Sequence, residues 1–235
     1  MSDADDVPTP APAEDLLAAT PGTAYFWGRV AGDGELSHEG ITVRAGDETA
    51  ADALGAVAGA DRVSADHRTR ARTSAHDASV TRFEDEYEVQ VFGAPADRAA
   101  AALGLPIDGD PGGYRFDALA DHRLQLVRGL LEACGTVCFR ESSGSVGISF
   151  VHDDERLLRT VQGLLEAAEP QVPTEDLNET SSGGYWFGLA DDADTAAFAQ
   201  WVYAGSSESG LYAHDRRQKL RRSVERATDR QVGDL

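Results

Sequence analysis

The sequence predicts an α+β protein built from two pseudo-symmetric αββαββα repeats, with one helix of each repeat packed against the other at a pseudo-dyad. Three observations predict this. First, Phe26-Trp27-Gly28-Arg29-Val30-Ala31-Gly32-Asp33-Gly34 returns about a hundred residues later as Val127-Arg128-Gly129-Leu130-Leu131-Glu132-Ala133-Cys134-Gly135. Second, the order helix–hairpin–helix–hairpin–helix can be read twice along the chain. Third, a turn-rich stretch, Pro106 to Gly113 (PIDGDPGG), separates the two readings. In each repeated stretch a glycine, Gly28 or Gly129, interrupts an apolar helical run. Such a glycine costs about 1 kcal/mol relative to alanine. Its recurrence at one offset predicts close backbone contact between the two helices, with Cys134 as a small residue in the same contact. The closing glycines, Gly34 and Gly135, predict left-handed helix ends.

Taken in order, Met1 to about Ala13 is acidic and rich in proline and alanine, which predicts a disordered tail. The first repeat spans 14–105. Its central helix is expected from Glu14 or Thr23 to Ala31, and a hairpin from Glu35 to Ala45 has Ile41 and Val43 alternating inward. Glu48 to Gly59 is an alanine-rich amphipathic helix begun by an acid, as the helix dipole favours. Arg62 to Arg72 and Thr81 to Gly93 read as strands, and Pro95 to Leu103 as a helix with proline near its start. Residues 106–113 form the linker and the second repeat spans 114–230. There the expected elements are a helix from Phe116 to Ala133, strands Thr136 to Arg140 and Val146 to Val151, a helix from Asp153 to Glu169, a strand from Tyr185 to Leu189, a helix from Ala193 to Tyr203 and a basic helix from Leu211 to Arg226.

Composition bounds the habitat more than the chemistry. The 235 residues carry 41 acids against 21 bases, a net charge of −20, and Lys219 is the sole lysine. An acidic, arginine-using surface suits molar salt, where the Debye length is about 3 Å and self-repulsion is screened. This balance does not exclude nucleic acid as a partner. No apolar run approaches the roughly 18 residues of a membrane span. The start of the chain lacks the basic-then-apolar pattern of a signal peptide, so a cytoplasmic protein with reduced Cys134 and Cys138 is expected.

The two glycine-bearing stretches resemble the LAGLIDADG motif of the homing-endonuclease family. The aromatic Trp201-Val202-Tyr203, then Leu211-Tyr212 and the basic cluster Arg216, Arg217, Lys219, Arg221 and Arg222, resemble that family's closing segment. The resemblance spans roughly Thr23 to Arg226. It implies two central packed motif helices, two concave antiparallel sheets forming a saddle over double-stranded DNA, and a monomer that is a pseudo-dimer within one chain. It also implies a divalent cation, Mg2+ in a nuclease, held by the acid that precedes each closing glycine. Asp33 holds that place in the first motif and would be both metal ligand and catalytic residue. In the second motif the place belongs to Cys134, a soft ligand poorly matched to magnesium.

Beside the resemblance, each residue also has a plainer reading. Asp33 in an Asp-Gly pair can be a polar residue of the turn after a helix, and Cys134 a small buried hydrophobe at a helix crossing. Arg68, Arg70 and Arg72 recur at period two and so share one strand face, where Arg44 joins them as a candidate nucleic-acid surface; an exposed arginine-rich face is the alternative. The corresponding segment of the second repeat, Gln171 to Gly184, carries Glu175, Asp176 and Glu179, which repel phosphate. Cys134 and Cys138 with His122 or His152 give a weak transition-metal pattern. Three functions stay open: a cleavage-deficient protein that binds nucleic acid or acts in regulation, an active or nicking endonuclease using Asp33, and a non-nuclease scaffold associated with cobalamin biosynthesis, as the resemblance to halophile proteins implies.

Overall fold

The computed structural model describes residues 8–59, 63–73, 81–93, 95–181, 183–191 and 193–233. Its first central helix, α1, runs Pro21–Asp33. It begins later than Glu14 because Thr20 and Thr23 form a reciprocal capping box and Pro21 occupies the first turn, where its missing N–H costs nothing. Every residue from Thr23 to Gly32 is buried, as expected of a helix packed on all sides. The preceding segment is docked: Trp27 donates its indole N–H to the Leu16 carbonyl at 2.6 Å, and the Ala13 amide donates to the Val57 carbonyl at 2.9 Å. Of the expected disordered tail, Ala13 is hydrogen-bonded to Val57, residues 8–12 are mostly exposed, and residues 1–7 lie outside the described residues.

The second central helix, α4 (Arg123–Cys134), is entered through a separate 3₁₀ turn, Asp117–His122, where one continuous helix was expected. The two central helices cross at their glycines. A Cβ on Gly28 would lie 2.3 Å from the Leu126 carbonyl oxygen, and one on Gly129 would lie 2.4 Å from the Tyr25 carbonyl oxygen. One turn further on, a Cβ on Gly32 would meet the Cβ of Ala133 at 2.6 Å and Cys134 Sγ at 3.3 Å.

The closing glycines correct one expectation. Gly34 (φ −120°) and Gly135 (φ −83°) are extended and not left-handed. Each helix passes straight into a strand, and a Cβ there would strike the last turn, 2.7 Å from the Val30 carbonyl oxygen or 2.3 Å from that of Leu131. Close approach, and not positive φ, selects glycine.

Each central helix feeds a four-stranded antiparallel sheet. The first contains β1 (Gly34–Ser37), β2 (Gly40–Ala45), β3 (Val63–Thr73) and β4 (Thr81–Phe92) in the order β1-β2-β4-β3. The second contains β5 (Gly135–Arg140), β6 (Ser145–His152), β7 (Asn178–Glu179) and β8 (Tyr185–Gly188) in the order β5-β6-β8-β7. Ile41, Val43, Val89 and Val91 of the first sheet and Val137, Ile148, Phe150 and Phe187 of the second face one continuous core with the central helices. Helices α2 (Glu48–Ala58), α3 (Ala96–Leu103), α5 (Glu155–Glu166) and α6 (Thr195–Val202) pack around it, followed by the short α7 (Ser206–Ser209) and the long α8 (His214–Gly233). Strand β7 and helix α7 have too few residues to show a period in sequence. Among the described residues, no helix is long and apolar enough to cross a membrane.

Candidate functional site at the base of the central helices

The C-terminal ends of α1 and α4, strands β2, β4 and β5, the cap of α2 and the start of α8 enclose a polar cavity of about 470 Å3. Its lining includes Arg29 and Asp33 from α1, Arg44 from β2, Glu132 from α4, and Arg216 and Lys219 from α8. Asp33 is partly exposed at the end of α1, and its carboxylate pairs with Arg44 at 3.7 Å. Arg44 also reaches Glu35 at 3.4 Å. Asp33 and Arg44, taken separately in sequence as a catalytic residue and a DNA contact, are thus partners in one site.

Beneath them lies a buried polar cluster that joins the two repeats. Tyr25 of α1 donates its hydroxyl to Glu132 Oε2 at 2.6 Å, and Arg29 Nη1 stands 3.6 Å from the same oxygen. Arg29 also donates to the Arg44 carbonyl, while its Nε has no hydrogen-bond partner. Burial pushes the Glu132 carboxyl upward, and Arg29 and Tyr25 pull against it. Burial pushes the Arg216 guanidinium downward, with Arg29 adding like-charge repulsion against the favourable influence of Tyr203 and Glu132. A second buried arginine, Arg128, is spent on architecture: its guanidinium donates to the carbonyls of Val202 (2.6 Å), Leu211 (2.9 Å) and Ala204 (2.7 Å).

Sequence reasoning did not single out Arg29, named Arg216 only within the basic closing cluster, and took Cys134, not Glu132, as the second motif's counterpart of Asp33. Glu132 lines the same cavity as Asp33, because the glycine crossing brings the inner flank of α4 within reach of α1. A signal for these residues existed. Arg29 and Glu132 fall within the glycine-bearing runs expected to pack against each other, and charged side chains are almost never fully buried unless paired.

The donor set does not fit the divalent cation that the fold implies. Hard cations take several carboxylate or carbonyl oxygens. At the motif positions one end offers Asp33, already matched by Arg44, and the other offers Cys134, while the cavity's remaining carboxylates, Asp47, Asp85, Glu86, Glu132 and Asp215, are spread around its wall. Burial, and then the neighbouring Asp33 charge, push the Cys134 thiol up to about 12, so it stays protonated and donates to the Leu130 carbonyl at 3.4 Å. Among the described residues, no three His, Cys, Asp or Glu side chains gather as a metal site. Cys138 is exposed, His122 contacts the Ala19 carbonyl at 3.2 Å, and His152 Nδ1 accepts the Asp154 amide at 2.9 Å, so these four do not form the metal pattern considered from sequence.

Of the strand arginines, Arg44 and Arg68 sit on the outer face of the first sheet. Register pairs Arg44 with Glu88, Arg68 with Glu86 and Arg70 with Glu84, while Arg72 faces Arg82. Arg68 Nη2 lies 3.6 Å from Asp66 and 3.9 Å from Glu88. The side chains of Arg70 and Arg72 lie outside the described residues. At Arg44 and Arg68 the face therefore sets arginine beside carboxylate. The equivalent face of the second sheet carries Thr136, Cys138, Arg140, Ser149, Val151 and Trp186, so it is mostly neutral. Glu175 borders it, its Oε2 2.9 Å from where a Gly188 Cβ would stand.

Two glycine-crossed helices, each ending directly in an antiparallel sheet and duplicated within one chain, define a LAGLIDADG-fold protein. A LAGLIDADG family described as "Putative archaeal homing endonuclease" matches residues 1–230, and the chain belongs to this family. Among solved structures, the homing endonuclease I-WcaI bound to its DNA recognition sequence is similar, with a TM-score of 0.57 at 10% identity, covering 86% of this chain and 87% of that one. Full-length DUF199/WhiA from Thermotoga maritima is similar with a TM-score of 0.52 at 9% identity, covering 92% of this chain. The chain spans 62% of the length of that protein. At such identities the likeness shows the fold alone. No curated protein matches the chain in sequence.

Proposed function

We propose that this protein binds duplex DNA without cleaving it and acts in regulation. The observation that carries the loss of cleavage is the base of the central helices. One motif acid is replaced by the protonated Cys134, and the other, Asp33, is paired with Arg44. Phosphodiester cleavage with metal ions needs carboxylates free to hold the ions that activate water and stabilise the leaving oxygen. The DNA reading draws support from the family and from the outer face of the first sheet. Arg44 and Arg68 are held there by carboxylates. Exposed pairs such as Arg68 with Asp66 and Arg44 with Glu35 are worth little and are screened further in molar salt, so Arg68 can exchange Asp66 for a phosphate and Arg44 can exchange Glu35 while keeping Asp33.

The test is binding to mixed-sequence duplex and cleavage of supercoiled plasmid in molar potassium chloride, with magnesium or manganese present. We expect duplex binding and intact plasmid for both the wild type and Asp33→Ala. Arg44→Gln and Arg68→Gln should each lower the slope of log affinity against log salt by about one. Metal-dependent nicking that disappears in Asp33→Ala would restore the endonuclease reading. Failure to bind any duplex would remove DNA from the account.

A further inference from the structure

His38 lies in the turn between β1 and β2 with a carboxylate at each ring nitrogen. Its Nδ1 is 2.6 Å from Asp97 Oδ1 in the first turn of α3. Its Nε2 is 3.1 Å from Asp108 Oδ2 in the segment that joins the two repeats. An ionised carboxylate only accepts, so each nitrogen facing one needs its own proton. The neutral ring carries a single N–H; it satisfies one acid and turns a lone pair toward the other. The imidazolium satisfies both.

What the histidine holds is the joining segment. The sheet order β1-β2-β4-β3 leaves β1 at an edge, where the outer backbone groups must find partners outside the sheet. The Asp108 amide donates to the Leu36 carbonyl of that strand at 3.1 Å, and the neighbouring Ile107 packs against the core. Asp108 itself is left-handed, at φ 49°, a conformation that asparagine and aspartate tolerate better than most residues. The charges around the ring favour its protonated form. The hydrogen bond to Asp97, and then the charges of Asp97, Asp108 and Asp110, hold the imidazole above its ordinary value of 6.5. Glu39 is its neighbour on the turn, and Arg98, next to Asp97, turns away to Asp15 at 3.5 Å.

We propose that His38 is a proton-operated clasp: charged, it fastens the segment joining the repeats over the edge of the first sheet, and neutral, it releases one acid and loosens that segment. Because the folded value is raised, the clasp is complete below 6.5 and is lost as pH rises through the folded value. Contacts of 2.6 and 3.1 Å match the Debye length of about 3 Å in molar salt, so screening weakens the clasp without dissolving it.

The test is an NMR titration of the six histidines of the full chain in molar potassium chloride, with the His38 signal assigned by its loss in His38→Gln. We expect His38 to titrate above 6.5, and to move back toward 6.5 in Asp97→Asn and in Asp108→Asn. Exchange of the Asp108 amide reads the clasp itself. Near pH 5.5 it should be about two- to fivefold faster in His38→Gln than in the wild type, the range of an exposed ion pair. Near pH 9 the two proteins should exchange alike. A His38 midpoint at or below 6.5, or equal exchange near pH 5.5, overturns the proposal. So does a difference that persists unchanged near pH 9, because a purely steric role of the ring does not depend on its charge.

Discussion

Replacing Gly129 by alanine tests the helix crossing on which both the fold and the cavity depend. At an exposed helical position this substitution is favourable, because alanine has the better propensity by about 1 kcal/mol. Gly163 in the exposed part of α5 provides that reference, since a Cβ there meets nothing within 4 Å. At Gly129 the added Cβ would stand 2.4 Å from the Tyr25 carbonyl oxygen and 2.9 Å from the Arg29 amide. Both contacts are with backbone, so no side chain can rotate away. The helices must part by roughly 1 Å, and overpacking of this kind costs about 1–3 kcal/mol. The shift also strains the Tyr25–Glu132 bond, 2.6 Å across the crossing. We expect Gly163→Ala to stabilise by about 0.5–1 kcal/mol and Gly129→Ala to destabilise by about 1–3 kcal/mol net of the propensity gain, read from urea unfolding in molar potassium chloride. If Gly129→Ala stabilises as much as Gly163→Ala, the crossing is looser than described and the packing argument fails.

Arg128→Met should destabilise by at least about 3 kcal/mol, because three carbonyls lose their donor in a buried site and each unsatisfied group costs about 1–3 kcal/mol. Arg128→Lys should restore only part of the loss, since one ammonium cannot reproduce the planar fork; equilibrium unfolding measures both. His152 gives a pH prediction. Burial pushes its imidazole below the ordinary histidine value of 6.5, against the pull of Asp154 and Asp153. Between that depressed folded value and 6.5 the unfolded chain binds more protons than the native one, so stability falls as pH falls through this window. His152→Gln should flatten that part of the stability–pH curve while leaving the acid limb set by the carboxylates, as followed by urea midpoints from pH 7.5 to about 5.

Much of the architecture was legible in the chain. The repeated glycine stretches, the alternating Ile41 and Val43, and the leucine face of α5 report burial by period, and period is a local property that a sequence carries openly. Short elements escaped because β7 has two residues and α7 four. The closing glycines were recognised for the wrong reason, since a sequence does not distinguish a glycine needed for positive φ from one needed for close approach.

The site was less legible. Asp33 and Cys134 could be placed by their position in the repeated stretch, and the period-two arginines by strand alternation. That Arg44 holds Asp33, that Arg68 faces carboxylates, and that Arg29, Glu132 and Arg216 meet in one cavity are facts of register and crossing. By itself the sequence determined the duplicated α+β plan, the acidic, arginine-using composition and the missing second motif acid, all of which follow from residue identity and spacing. Only the tertiary structure decided what surrounds the remaining acid, because the charges that balance or repel it come from α4, β2 and α8, and electrostatic interactions depend on distance in space.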